Sequence, residues 1–239
     1  MNINFAGKTV LVAGGTGGLG NAVSLAFLDE GASVVVTYHK EETYSALKKA
    51  AGAKAAALEG SSVDVTDERA TAELVMGILA QHGRLDALVN TVGGYAGGVT
   101  LWELETKTFE AMLSLNLRSG YTLARAVLPA MLKQRHGSIV NVAAKAALDH
   151  GAGAAAYAAS KAAAVAMMDS LAADVKGTGV TVNSILPSII DTAVNRKAMP
   201  SADFAAWPKP EEIAQVILFL CSDNAAVIHG AAIPVYGNS

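Results

Sequence analysis

Short β-branched runs and longer segments of helical spacing alternate along the whole chain, and few folds accommodate that pattern. The runs cover residues 9–12, 33–37, 86–90, 138–142 and 180–186, with a further strand expected before Asp64. Between them, apolar residues recur at three- and four-residue spacing over 19–28, 43–51, 68–81, 108–133, 155–175 and 211–221. Segments 34–36 and 139–142 are apolar without alternation, as in parallel strands covered on both faces. Strand and helix repeated six or seven times predict an α/β chain: a single doubly wound, Rossmann-like parallel sheet with helices on both faces. No repeat, linker or low-complexity tract divides residues 1–239, so one domain is expected. The only long non-periodic stretch, 187–210, has the length of a functional lid.

Composition narrows the function. A hydrophobic fraction of 52% excludes disorder. A net charge of −3 offers no basic surplus for nucleic acid or an anionic membrane. The one cysteine, Cys221, excludes a disulfide framework and reads as a small buried hydrophobe. His39, His82, His136, His150 and His229 are scattered, so no metal site is expected. Residues 1–8 lack a secretory pattern, and no apolar run is long enough to span a membrane. A soluble cytoplasmic protein is expected.

The first strand runs through Ala13 into Gly14-Gly15-Thr16-Gly17-Gly18-Leu19-Gly20 and directly into a helix. A dinucleotide pyrophosphate needs backbone N–H groups at a helix N-terminus, with no Cβ in the way. Two glycine spacings meet that need. One is Gly15, Gly17 and Gly20; the other is Gly14, Gly18 and Gly20. Cofactor choice is read at the end of the second strand, where a carboxylate would bind the ribose hydroxyls of NAD. Here Tyr38-His39-Lys40 precedes the first acid, Glu41. Lys40, helped by His39, can neutralise a 2′-phosphate, which favours NADP(H) and leaves NAD(H) possible. Asp64 and Val65 follow the third strand and are placed either to meet the adenine or, for Asp64, to cap the next helix.

Tyr157 and Lys161 stand four apart on one helical face. A phenol with a pKa of about 10 is a poor acid–base group at neutral pH. A cation about 4 Å away favours the phenolate by roughly 4 kcal/mol at an effective dielectric of 20. Lys161 could also hold the nicotinamide ribose. Spacing alone does not single this pair out, because Tyr44 and Lys48 repeat it on the adenine side. Position does: Tyr157 begins the helix after the fifth strand, where strand ends converge on the nicotinamide.

These motifs, with Asn90-Thr91-Val92-Gly93, Asn116 and the segment from Pro187 to Thr192, fall in order along the chain. The chain thereby resembles the short-chain dehydrogenase/reductases over its whole length. The resemblance implies that Thr16 and Leu19 belong to the phosphate turn. It implies that Asn90 and Gly93 steady the sheet beside the cofactor, and that Pro187, Ile190 and Thr192 line its nicotinamide end. Asn116 would hold a water relaying protons to Lys161, so Tyr157, Lys161 and Asn116 would carry the chemistry. A homodimer or homotetramer joined through 108–133 and 155–175 is also implied.

One position departs from the family. The serine expected 13 residues before the tyrosine is Ala144, and one lost oxyanion donor typically costs about 10²–10³ in kcat. Segments 93–98, 144–149 and 187–207 resemble the dihydropteridine reductase branch, which also works without that serine. By that likeness Tyr95 flanks a flat acceptor, and Ala144, Lys145 and Trp207 border it. Tyr95 could equally fill a gap in its loop, Lys145 could be a solvated side chain, and Trp207 could anchor the lid. The expected activity is NAD(P)H-dependent hydride transfer to a planar conjugated acceptor, a quinonoid dihydropterin. Reduction of a carbonyl or 3-oxoacyl group is the alternative, with Lys145, Asn141 or a water replacing the hydroxyl, and a non-catalytic NAD(P) sensor is a second.

Overall fold

The computed structural model describes residues 3–239, so Met1 and Asn2 of the N-terminal segment lie outside the described residues. Seven strands form one parallel sheet: β1 (Thr9–Ala13), β2 (Ser33–Tyr38), β3 (Leu58–Ser62), β4 (Ala87–Asn90), β5 (Gly137–Val142), β6 (Val180–Pro187) and β7 (Ala232–Val235). Their order is β3-β2-β1-β4-β5-β6-β7, so the winding reverses between β1 and β4. That reversal opens a crevice at the carboxyl ends of the strands, where doubly wound sheets bind ligands.

Alternate side chains of each strand feed two cores. Val10 and Val12 of β1 pack into one with Val23, Phe27, Ile213 and Ile217. Leu11 and Ala13 point the other way, toward Val75, Leu123, Val127 and Met131. The first layer holds α1 (Gly18–Asp29), α2 (Glu41–Ala51) and, completing it, α8 (Pro210–Cys221). On the opposite face lie α3 (Glu68–His82), α5 (Ser119–Gln134) and α6 (Ala155–Asp174). Two short helices, α4 (Thr106–Leu113) and α7 (Ala193–Ala198), stand at the crevice end. Both strand faces are thus covered, as the unbroken apolar runs required.

Two elements differ from the expected pattern. The helix expected over 108–133 is divided: α4 passes through a π turn, Ser114–Arg118, before α5 resumes. A π turn lengthens one helical turn by a single residue, and a 3.6-residue apolar periodicity does not reveal that. The lid over 187–210 is also not structureless. It contains α7, whose first turn is capped by Thr192 accepting from the Asn195 N–H at 3.2 Å.

Candidate active site

The turn after β1 is held by side chains on every side. Gly14 takes a left-handed conformation at φ +74°, which glycine adopts without strain, and its N–H donates to Thr37 Oγ1 at 2.9 Å. The buried Ser24 hydroxyl contacts the carbonyl oxygens of Gly15 and Gly20 at 3.1 and 2.8 Å. Thr43 Oγ1 donates to Thr16 Oγ1 at 3.0 Å, tying the turn to α2. A Cβ on Gly20 would lie 2.1 Å from the Gly14 carbonyl oxygen, so the backbone folds on itself too closely for any other residue. Leu19 is buried in the core beneath. The N-terminus of α1 has no side-chain cap, which leaves its first-turn N–H groups and positive dipole end facing the crevice. This backbone cradle fits a dinucleotide pyrophosphate.

At the end of β2, His39 and Lys40 are exposed. Glu41 does not offer a free carboxylate to a ribose, because Tyr38 Oη donates to it at 2.6 Å. Tyr38 in turn stacks on Tyr44, with ring centroids 4.8 Å apart, so the second tyrosine–lysine pair belongs to packing at this edge. Asp64 is not the cap of α3. Its carboxylate accepts from Thr66 N–H and Oγ1, which holds it below the usual carboxylate range, and Asp67 caps the helix by accepting from Ala70 N–H. The Val65 side chain is 3% exposed in the core, and its carbonyl accepts from the Thr122 hydroxyl.

Tyr157 and Lys161 lie in the first two turns of α6, beside the end of β5. Lys161 is 5% exposed and its Nζ donates to the Val142 carbonyl oxygen at 3.0 Å. Burial pulls its pKa down to about 8. The tuning expected for the phenol does not occur in the free protein. Burial, with the neighbouring Tyr95 phenol adding to it, pushes Tyr157 up to about 12. The ammonium is turned toward the sheet end, so loss of solvent decides the sign. At neutral pH Tyr157 is therefore a protonated phenol, able to give a proton.

Asn116, set inside the π turn, is 2% exposed. Its side chain accepts from Gly94 N–H at 2.9 Å and donates to the Gly94 carbonyl at 3.1 Å and Ser160 Oγ at 3.0 Å. Its side chain thus holds the Gly93–Gly94 loop and α6 in place. Ser160, which sequence reasoning passed over, carries that link onward by donating to the Tyr157 carbonyl at 2.7 Å. The only available signal was its place between the tyrosine and the lysine. Asn90 Nδ2 donates to Asn141 Oδ1 at 3.0 Å, and Asn90 Oδ1 accepts from Val92 N–H, joining β4 to β5 below Gly93.

Of the residues expected around an acceptor, two come to the site and two do not. Tyr95 packs edge-on against Tyr157, with centroids 5.0 Å apart, and Ala144 is buried at the end of β5. Lys145 turns away: its Nζ sits 5.2 Å over the Tyr236 ring and 3.5 Å from the Ser239 main-chain oxygen. Residues 236–239 fold back over this edge, with Ser188 Oγ donating to Tyr236 and Asn238 N–H to Ala206. Trp207 is 6% exposed and packs on Phe204, which makes it an anchor of the lid rather than a wall for substrate. Pro187 closes β6 and Ile190 leans on the first core. Thr192 reaches the phosphate turn: a Cβ on Gly18 would lie 2.8 Å from its methyl.

A glycine cradle at the strand crossover and a phenol–ammonium pair beside it define a dinucleotide-dependent oxidoreductase. The short chain dehydrogenase family model matches residues 8–203, and the chain belongs to the short-chain dehydrogenase/reductase family. It is 33% identical to the 3-oxoacyl-[acyl-carrier-protein] reductase FabG of Thermotoga maritima, over 97% of each chain. It is 34% identical to D-threitol dehydrogenase of Mycolicibacterium smegmatis, over 97% of this chain and 92% of that one. Among solved structures, ElxO with NADP bound superposes with a TM-score of 0.91 at 26% identity, covering 96% of this chain and 97% of that one. Levodione reductase does so with 0.91 at 26% identity over 98% of both. Among the described residues no helix is long and apolar enough to cross a membrane, and no cluster of His, Cys, Asp and Glu could hold a metal ion.

Proposed function

We propose that this chain is an NADP(H)-dependent carbonyl reductase, with Tyr157 as the proton donor. The observation that carries the reading is a half-buried phenol four residues before a buried ammonium, at the crossover crevice. Bound NADPH would supply a hydride to the acceptor carbon. Gly14, Thr16, Gly18, Leu19 and Gly20 would hold its pyrophosphate on backbone N–H groups, and His39 and Lys40 its 2′-phosphate. Lys161 would bind the nicotinamide ribose, with Asn90, Gly93, Pro187, Ile190 and Thr192 around it. Tyr157 gives its proton to the acceptor oxygen as charge develops there. Asn116 acts on this step through position, by fixing Gly94 and Ser160.

Carbonyl reduction is preferred because the relatives' names point to oxoacyl and ketone chemistry rather than to pterins. A quinonoid dihydropterin is retained as a second reading on one observation, the methyl side chain of Ala144 where a hydroxyl donor would stand. A conjugated ring disperses the incoming charge and needs that donor less. Phe109, Tyr121 and Leu132, exposed on α4 and α5, support a homodimer or homotetramer through the long helices. The test is one assay with NADPH and NADH against 3-oxoesters, cyclic diketones and quinonoid dihydropterin. NADPH-dependent turnover of ketones is expected; turnover confined to the pterin would select the second reading.

A further inference from the structure

The site lacks one hydrogen-bond donor, and the two side chains named as replacements do not reach it. Asn141 is 1% exposed, inside the sheet: its Oδ1 accepts from Asn90, and its Nδ2, though without a partner, is buried and has no open surface toward an acceptor. Lys145 is drawn away by Tyr236 and Ser239. A second phenol is left. Tyr95 is 68% exposed, and its ring meets the Tyr157 ring at an interplanar angle of 76°. Among the described residues, neither of these two hydroxyls has a hydrogen-bond partner, whereas Tyr38 and Tyr44 both spend theirs. The loop carrying Tyr95 is fixed at both ends. Asn116 grips Gly94 through two hydrogen bonds, and Gly98 N–H donates to the Gly153 carbonyl at 2.9 Å. Gly97 leaves room for the phenol, since a Cβ there would lie 2.2 Å from Tyr95 Oη.

We infer that Tyr95 is a catalytic residue, its hydroxyl giving the acceptor oxygen the hydrogen bond that Ala144 cannot. This rests on the carbonyl reading above. The acceptor oxygen then faces two phenols: Tyr157 transfers its proton, while the Tyr95 proton stays on Tyr95. Position separates the two roles: Tyr157 stands four residues before Lys161 on α6, whereas Tyr95 stands on a loop outside that pair and donates only a hydrogen bond. The Tyr95 phenol adds to the burial that disfavours ionisation of Tyr157.

The experiment compares wild type, Tyr157→Phe, Tyr95→Phe, Ala144→Ser and the double variant Tyr95→Phe/Ala144→Ser. A cyclic 1,4-diketone and a 3-oxoester serve as acceptors, with NADPH. Tyr95→Phe keeps the ring and its packing, and is expected to lower kcat by about 10²-fold with the KM for NADPH unchanged. Ala144→Ser is expected to restore at least about tenfold in that background and to act less than additively with the Tyr95 hydroxyl in wild type, because one donor position is then filled twice. A Tyr95→Phe enzyme with wild-type kcat on a ketone that Tyr157→Phe no longer reduces overturns the inference. A second readout needs no acceptor: tyrosinate absorbance, subtracting the Tyr157→Phe curve from wild type and the Tyr95→Phe/Tyr157→Phe curve from Tyr95→Phe. Tyr157 is expected to ionise at lower pH in Tyr95→Phe, and an unshifted curve overturns the inference whatever the ketones do. Failure of wild type to reduce either ketone overturns the carbonyl reading alone.

Discussion

The nucleotide half of the crevice and the acceptor half are built from different materials. Around α1 the contacts are made by main chain, and the side chains there, Ser24, Thr37 and Thr43, serve to hold that main chain still. Around Tyr157 the contacts are made by side chains: Tyr95, Asn116, Ser160 and Lys161. Backbone geometry leaves no room for a Cβ at Gly20, so the first half depends on glycine. Side-chain chemistry can be exchanged piece by piece, and the second half has lost a hydroxyl at Ala144 while keeping the tyrosine and lysine. The family match, over residues 8–203, spans both halves, while the proposed acceptor choice rests on the second.

Lys161 stands between the halves and offers the largest separable effect. Its folded pKa, about 8, lies below the ordinary value of 10.5. Between those values the unfolded chain binds more protons than the folded one, so stability rises with pH through that window. The full rise is on the order of 3 kcal/mol. Tyr157 has the opposite sign, but its penalty begins only above about pH 10, where unfolded phenols ionise. Urea midpoints from pH 8 to 10 are therefore expected to climb in wild type and stay flat in Lys161→Met.

A smaller effect sharpens the contact where lid meets turn. Gly18→Ala places a methyl against the Thr192 methyl, and the NADPH Kd is expected to rise about tenfold, roughly 1.4 kcal/mol. Adding Thr192→Ser removes the opposing methyl and is expected to recover most of that loss. If it recovers nothing, the lid does not rest on the phosphate turn in solution. The smallest effect belongs to the exposed Lys40. Lys40→Ala is expected to weaken NADPH about fivefold, near 1 kcal/mol, and to leave NADH unchanged, by titration of nucleotide fluorescence. An equal loss for both nucleotides would remove Lys40 from the 2′-phosphate.

The two halves were also unequally legible in the sequence. Period-two and period-3.6 patterns revealed the strands and helices because both sheet faces are buried, and the glycine turn was readable because only backbone is asked to act there. Tyr157 was picked out by its place after β5. The misreadings share one cause: a side chain's direction depends on neighbours far along the chain. Lys145 follows a C-terminal tail that lies 94 residues away in sequence. The ionisation of Tyr157 follows its burial beside Tyr95. The π turn that carries Asn116 costs one extra residue in a helix, below the resolution of any periodicity.

The most direct test compares Tyr157→Phe with wild type for two quantities in one buffer: NADPH affinity and ketone-dependent NADPH oxidation. Removing one hydroxyl is expected to leave the nucleotide Kd unchanged and to cut oxidation by at least about 10²-fold. Oxidation that continues at the wild-type rate would show that the proton comes from another group, and the assignment of the acceptor half would be wrong.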